Sequence, residues 1–123
     1  MSRIAALMAA EAASLAVMSS LHLAGRLNGT KPFDPNRAGI AEAIIGVVLA
    51  AAAVGLLRGR RRAWSIAVAA NIFAVVGFAV GLSRTIQGGG AVDIGYHLTV
   101  LPLLLLTLLI LVRERRNRAE AAP

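Results

Sequence analysis

The sequence predicts an all-α integral membrane protein, an antiparallel four-helix transmembrane bundle. Three observations predict it. Four apolar runs, at residues 4–25, 39–57, 63–82 and 91–112, each approach the roughly 20 residues that a membrane helix needs. Charged residues are 15% of the chain and mostly flank those runs, whereas a soluble domain carries roughly 25%. The connections between runs are short, which makes successive helices neighbours of opposite direction.

The first run follows Arg3 and is rich in small residues. It reads as a retained helix rather than a secretory leader. A leader's apolar region has roughly 7–15 residues, while this run is longer and is interrupted by Glu11. Gly25 and Arg26 end it, and Asn28-Gly29 signals a turn. Asp34-Pro35 is a cap followed by a proline suited to the first helical position, so the second helix can begin ahead of its apolar run. The basic turn at residues 58–62 leads to Trp64, which reads as an interfacial anchor of the third helix. Gly77 and Gly81 form a small-xxx-small pair on that helix, and Gly46 and Ala50 form another on the second. Both suit close helix packing. Gly88, Gly89 and Gly90 predict a loose loop before the fourth helix. Pro102 predicts a kink there. The tail 113–123 is charged and then small, as expected of a frayed helix end.

The 123 residues bound the chain to a single transmembrane domain, 1–123. A net charge of +7 would suggest nucleic acid in a soluble protein. Here the basic residues flank apolar spans, so topology explains them and no nucleic-acid partner is expected. Nine of the 13 basic residues fall on one side, at Arg3, the 58–62 turn and residues 113–118. By the positive-inside rule both termini and that turn face the cytoplasm of a cell inner (plasma) membrane. The absence of cysteine excludes disulfides, thiol catalysis and thiolate metal sites.

Four polar side chains stand out at the opposite, outer end. His22 lies near the end of the first helix, Glu42 just inside the second, and Asp93 and His97 at the start of the fourth. A rise of about 1.5 Å per residue puts them in one layer. Asp93 and His97 are spaced i, i+4 and share a helix face. Two imidazoles and two carboxylates suit a divalent metal such as zinc, iron or manganese. Haem between His22 and His97 is a weaker reading, since the chain is poor in aromatic residues to wall it. A proton-linked or polar-substrate pocket is another reading, because a carboxylate beside a histidine moves its titration. In the plainest reading Asp93 caps its helix, His22 favours a helix C-terminus, and Glu42 pairs with Arg37 or Arg84.

Deeper in the bundle, Glu11 and Asn71 lie at similar depth and are expected to pair, Asn71 donating to the carboxyl group. Glu11, Leu15, Met18 and His22 recur at i, i+4, i+7 and i+11 and predict one bundle-facing stripe.

Gly39-Ile40-Ala41-Glu42-Ala43 opening the second helix and Asp93-Ile94-Gly95-Tyr96-His97 opening the fourth resemble small four-helix membrane proteins of actinobacteria with a DoxX-like layout. The resemblance implies an inner-membrane location and a link to redox or oxidative-stress systems. It transfers no catalytic residue. The leading functional expectation is a small accessory or interaction component of the cell membrane, in contact with lipid and with another membrane protein or a second copy. The alternative is a metal- or proton-binding or transport protein using the outer-leaflet His/carboxylate pocket. Catalysis ranks third, since no nucleophile triad or phosphate-binding loop is present.

Overall fold

The computed structural model describes residues 2–123. Among them the chain forms four helices: α1 (Ser2–Leu23), α2 (Pro35–Leu57), α3 (Ala63–Thr85) and α4 (Ala91–Glu120). Each is long and apolar enough to cross a membrane. At about 1.5 Å per residue, α1–α3 span roughly 33–35 Å, against about 30 Å of bilayer hydrocarbon.

The helix ends follow from local chemistry. The Asp34 carboxylate accepts from Asn36 N–H at 2.9 Å and Arg37 N–H at 3.3 Å, and Pro35 sits where no N–H is needed. This cap starts α2 four residues ahead of the apolar run at 39. Gly25 and Gly59 follow α1 and α2 in the left-handed region, at φ +70° and +61°, where glycine carries no Cβ penalty. The N–H of Arg26 then reaches back to Leu21 C=O at 2.9 Å. α4 runs past Pro102 as one helix and continues to Glu120, eight residues beyond the apolar run at 112. Its last turns carry the pairs Arg118–Glu114 at 3.2 Å and Arg116–Glu120 at 3.4 Å. The Arg118 guanidinium lies 4.5 Å from the centre of the Trp64 ring.

The glycine loop before α4 is held rather than loose. Gly89 N–H donates to Thr85 C=O at 2.6 Å, and Thr30 N–H donates to Gly88 C=O at 2.7 Å. That second bond ties the α1–α2 connection to the α3–α4 connection. Side chains at Gly29 or Gly88 would collide with backbone across this junction, which is why glycine occupies both.

Each helix buries one narrow stripe. On α1 it is Ile4, Met8, Glu11, Leu15, Met18 and His22; on α4 it is Asp93, His97, Val100, Leu104, Thr107 and Leu111. Steps of three and four residues alternate, a seam of period near 3.5 suited to shallow-angle helix packing. Leu49 and Leu56 of α2 and Ala67, Ala74 and Phe78 of α3 complete the core. Small residues set the closest approaches. A Cβ on Gly46 would lie 3.4 Å from Ala12 C=O and from the Leu15 Cβ, and one on Gly77 would lie 2.6 Å from Ile45 Cδ1. The opposite faces are apolar as well, with Val17, Val47, Ile66, Val76, Val92 and Leu106 all exposed. The leucine run after Pro102 divides accordingly: Leu104 is fully buried, while Leu103, Leu105 and Leu106 face outward.

Candidate proton and cation site

The polar residues of the stripes meet at the end of the bundle where the two tied connections lie. His22 is in the last turn of α1 and Asp93 in the first turn of α4. Glu42 follows the α2 N-terminus by about two turns. Glycine at 39 admits this approach, since a Cβ there would meet Leu23 and His22 side-chain atoms at 2.8–3.1 Å. Ser19 Oγ, on the neighbouring turn of α1, donates to Gly39 C=O at 2.7 Å.

His22 is gripped from both sides. Its Nδ1 lies 2.7 Å from Glu42 Oε2, and its Nε2 lies 2.7 Å from Asp93 Oδ2. His22 and Asp93 are 1% exposed and Glu42 is 5% exposed. The second oxygen of each acid, Glu42 Oε1 and Asp93 Oδ1, is buried without a hydrogen-bond partner among the described residues. Phe33 closes one side, its ring centre 6.0 Å from that of His22.

The two contacts set the least number of protons this triad holds. Carboxylate oxygens and bare ring nitrogens only accept, so each 2.7 Å contact contains one proton. Two protons shared among one imidazole and two carboxylates leave a net charge of −1. The helix ends favour the distribution in which His22 is cationic and Asp93 anionic, because a helix C-terminus attracts positive charge and an N-terminus negative. The remaining negative charge is costly away from water. A third proton or a cation at the two unpartnered oxygens would neutralise it.

Three of the four residues expected at the outer pocket thus converge. One ligand atom from each of His22, Glu42 and Asp93 can be chosen so that all lie within 4.8 Å of one another. His97 stands apart from them. It shares the Asp93 face, but its Nδ1 donates to the Asp93 backbone C=O at 2.9 Å, so a helical carbonyl claims one of its two ring nitrogens. Its ring packs instead on Phe78, with centres 5.1 Å apart. The four-residue metal set is corrected to three. The pairing expected of haem is not formed either, because both nitrogens of His22 are engaged by carboxylates. Asp93 is not the α4 cap, a position held by Gly90, and Arg37 pairs with Asp34 at 3.5 Å rather than with Glu42.

The deeper pair is corrected as well. Glu11 Oε1 accepts from Thr107 Oγ1 at 2.7 Å. Asn71 is fully buried, and among the described residues neither of its amide atoms has a partner. Rotation of α4 about its axis turns Thr107 to α1, which sequence depth alone could not specify. Thr107 is the lone hydroxyl in the leucine-rich stretch after Pro102, and that was the available signal. Tyr96 and Ser14 were also missed; their hydroxyls meet at 2.9 Å between α4 and α1. Comparison with known protein families, curated proteins and solved structures finds no match for this chain.

Proposed function

We propose that this chain is a multi-pass protein of the cell membrane, its four helices antiparallel and its arginine-rich end cytoplasmic, and that it binds and exchanges a proton at the Glu42–His22–Asp93 triad. The apolar faces turned outward on all four helices support insertion in a bilayer. The antiparallel reading is supported by α1 meeting α4 through His22–Asp93 near one end and Glu11–Thr107 further along. The 9-to-4 division of basic residues supports the orientation.

One observation carries the function: a buried imidazole whose two nitrogens each lie 2.7 Å from an acid on another helix, with the second oxygen of each acid unpartnered among the described residues. Packing alone would be served as well by apolar residues, since buried ion pairs seldom stabilise more than a hydrophobic replacement. An accessory role by itself does not call for such a cluster; uptake and release of a positive charge does.

Metal binding is the second reading, favoured by the close grouping of three ligand atoms. A metal would have to replace at least one of the 2.7 Å hydrogen bonds, because each ring nitrogen offers its lone pair or a proton but not both. Elemental analysis and a visible spectrum after mild detergent extraction separate the two. With zinc, iron and manganese supplied during growth, the proton reading predicts a colourless protein with far less than one metal per chain. Stoichiometric metal that disappears in His22→Phe would transfer the site to the metal reading.

A further inference from the structure

Between α2 and α3 lies a cleft of about 550 Å³. Its composition is unusual for this chain. All three phenylalanines line it: Phe33, Phe73 and Phe78. Ile44, Phe73, Val76 and Val80 border it and are also exposed apolar residues of the helix surface. The cleft therefore opens sideways into apolar surroundings, not only at the loop end.

Two acceptor atoms of its lining residues lack a donor. His97 lines the cleft. Because Nδ1 donates to the Asp93 carbonyl, the neutral ring presents Nε2 as an acceptor, and among the described residues nothing donates to it. Glycine at 81 makes that nitrogen reachable, for a Cβ there would lie 2.9 Å from Nε2. Glu42 also lines the cleft, and its Oε1 is unpartnered.

The geometry points to this cleft as the binding site of a neutral, lipid-soluble aromatic hydroxyl compound, of the phenol or hydroquinone class. A flat ring suits walls of phenylalanine and histidine, where offset and edge-to-face contacts are favourable. A hydroxyl supplies the missing donor to His97 Nε2. A charged amphiphile of either sign meets a like charge there, the Glu42 carboxyl group or the Arg37 and Arg84 guanidiniums, all of which line the cleft. An acyl chain offers no donor. The inference stands on His97, Gly81 and the aromatic walls, so it can fail while the proton reading of His22 holds, and the reverse.

The test is titration of the full chain in lipid nanodiscs with an alkyl hydroquinone, its di-O-methyl ether and a fatty acid of matched chain length, following the ¹⁵N resonances of His97. Saturable binding of the hydroquinone that shifts Nε2, at least tenfold tighter than the ether, is expected. His97→Phe, which keeps a ring but removes the acceptor, is expected to weaken binding about tenfold, the size of one good hydrogen bond. Gly81→Ala is expected to block it while remaining helical, since alanine is the better helix former. Equal binding of hydroquinone and ether, unchanged affinity in both variants, or preference for the fatty acid would each overturn the proposal.

Discussion

Among the described residues Glu11 has one bonded carboxyl oxygen and one bare one, and the Asn71 side-chain amide has no hydrogen bond, so the two buried polar groups should respond oppositely to removal. Thr107→Val removes the only donor to the Glu11 carboxyl group among the described residues and strands the whole group. A loss of roughly 1–2 kcal/mol is expected, read as a lower thermal midpoint in detergent. Asn71→Leu discards an amide that satisfies nothing, and is expected to be neutral or stabilising. If Asn71→Leu destabilises more than Thr107→Val, the bonding pattern assigned to this layer is wrong. The contrast also marks what a sequence can convey at this scale. Depth was legible: His22, Glu42 and Asp93 were placed in one layer by counting helix rise, and they do meet. Azimuth was not. Whether Glu11 faces α3 or α4 depends on rotations that a nearly uniform run of leucines leaves unspecified. Likewise, the i, i+4 spacing of Asp93 and His97 cannot reveal that a backbone carbonyl takes the histidine's Nδ1.

At the scale of elements, the bundle-facing stripe of α1 was legible because its polar members are spaced as its apolar members are. Glu11 and His22 bracket Leu15 and Met18, and all four are buried. The extent of α4 was not legible, because residues 113–120 are polar and their helicity rests on local i, i+4 ion pairs rather than on burial. The glycine loop misled for a different reason. Glycine there permits close backbone approach to the Thr30 segment, and composition does not distinguish that use from looseness. The proposed topology puts the two tied connections outside the cell. The chain lacks cysteine, so single introduced thiols report without background. Asn28→Cys and Gln87→Cys are expected to react with a membrane-impermeant reagent on intact cells, and Ala121→Cys only after the cells are opened. The opposite pattern would invert the orientation. Reaction of only one of the first two would sink the up-down arrangement.

For the whole molecule, the arginine-rich end and the acid–histidine end have separate tasks. In the proposed topology the arginines at residues 58–62 and 113–118 bias orientation and suit anionic headgroups. The triad lies near the other end and draws one residue from each of α1, α2 and α4, while α3 contributes the wall of the neighbouring aromatic cleft. Helix association and site assembly are therefore one event: loss of His22 leaves both acids buried and unpaired, and loss of either acid leaves one ring nitrogen of His22 without its partner. The central claim is that two protons occupy the two hydrogen bonds of His22. It is tested most directly by ¹⁵N NMR of the imidazole nitrogens in histidine-labelled protein in lipid nanodiscs, with His97→Phe leaving His22 as the only labelled ring. The account predicts that both nitrogens of His22 carry protons in strong hydrogen bonds at neutral pH. A His22 nitrogen with a free lone pair, or one bound to a metal, would contradict it.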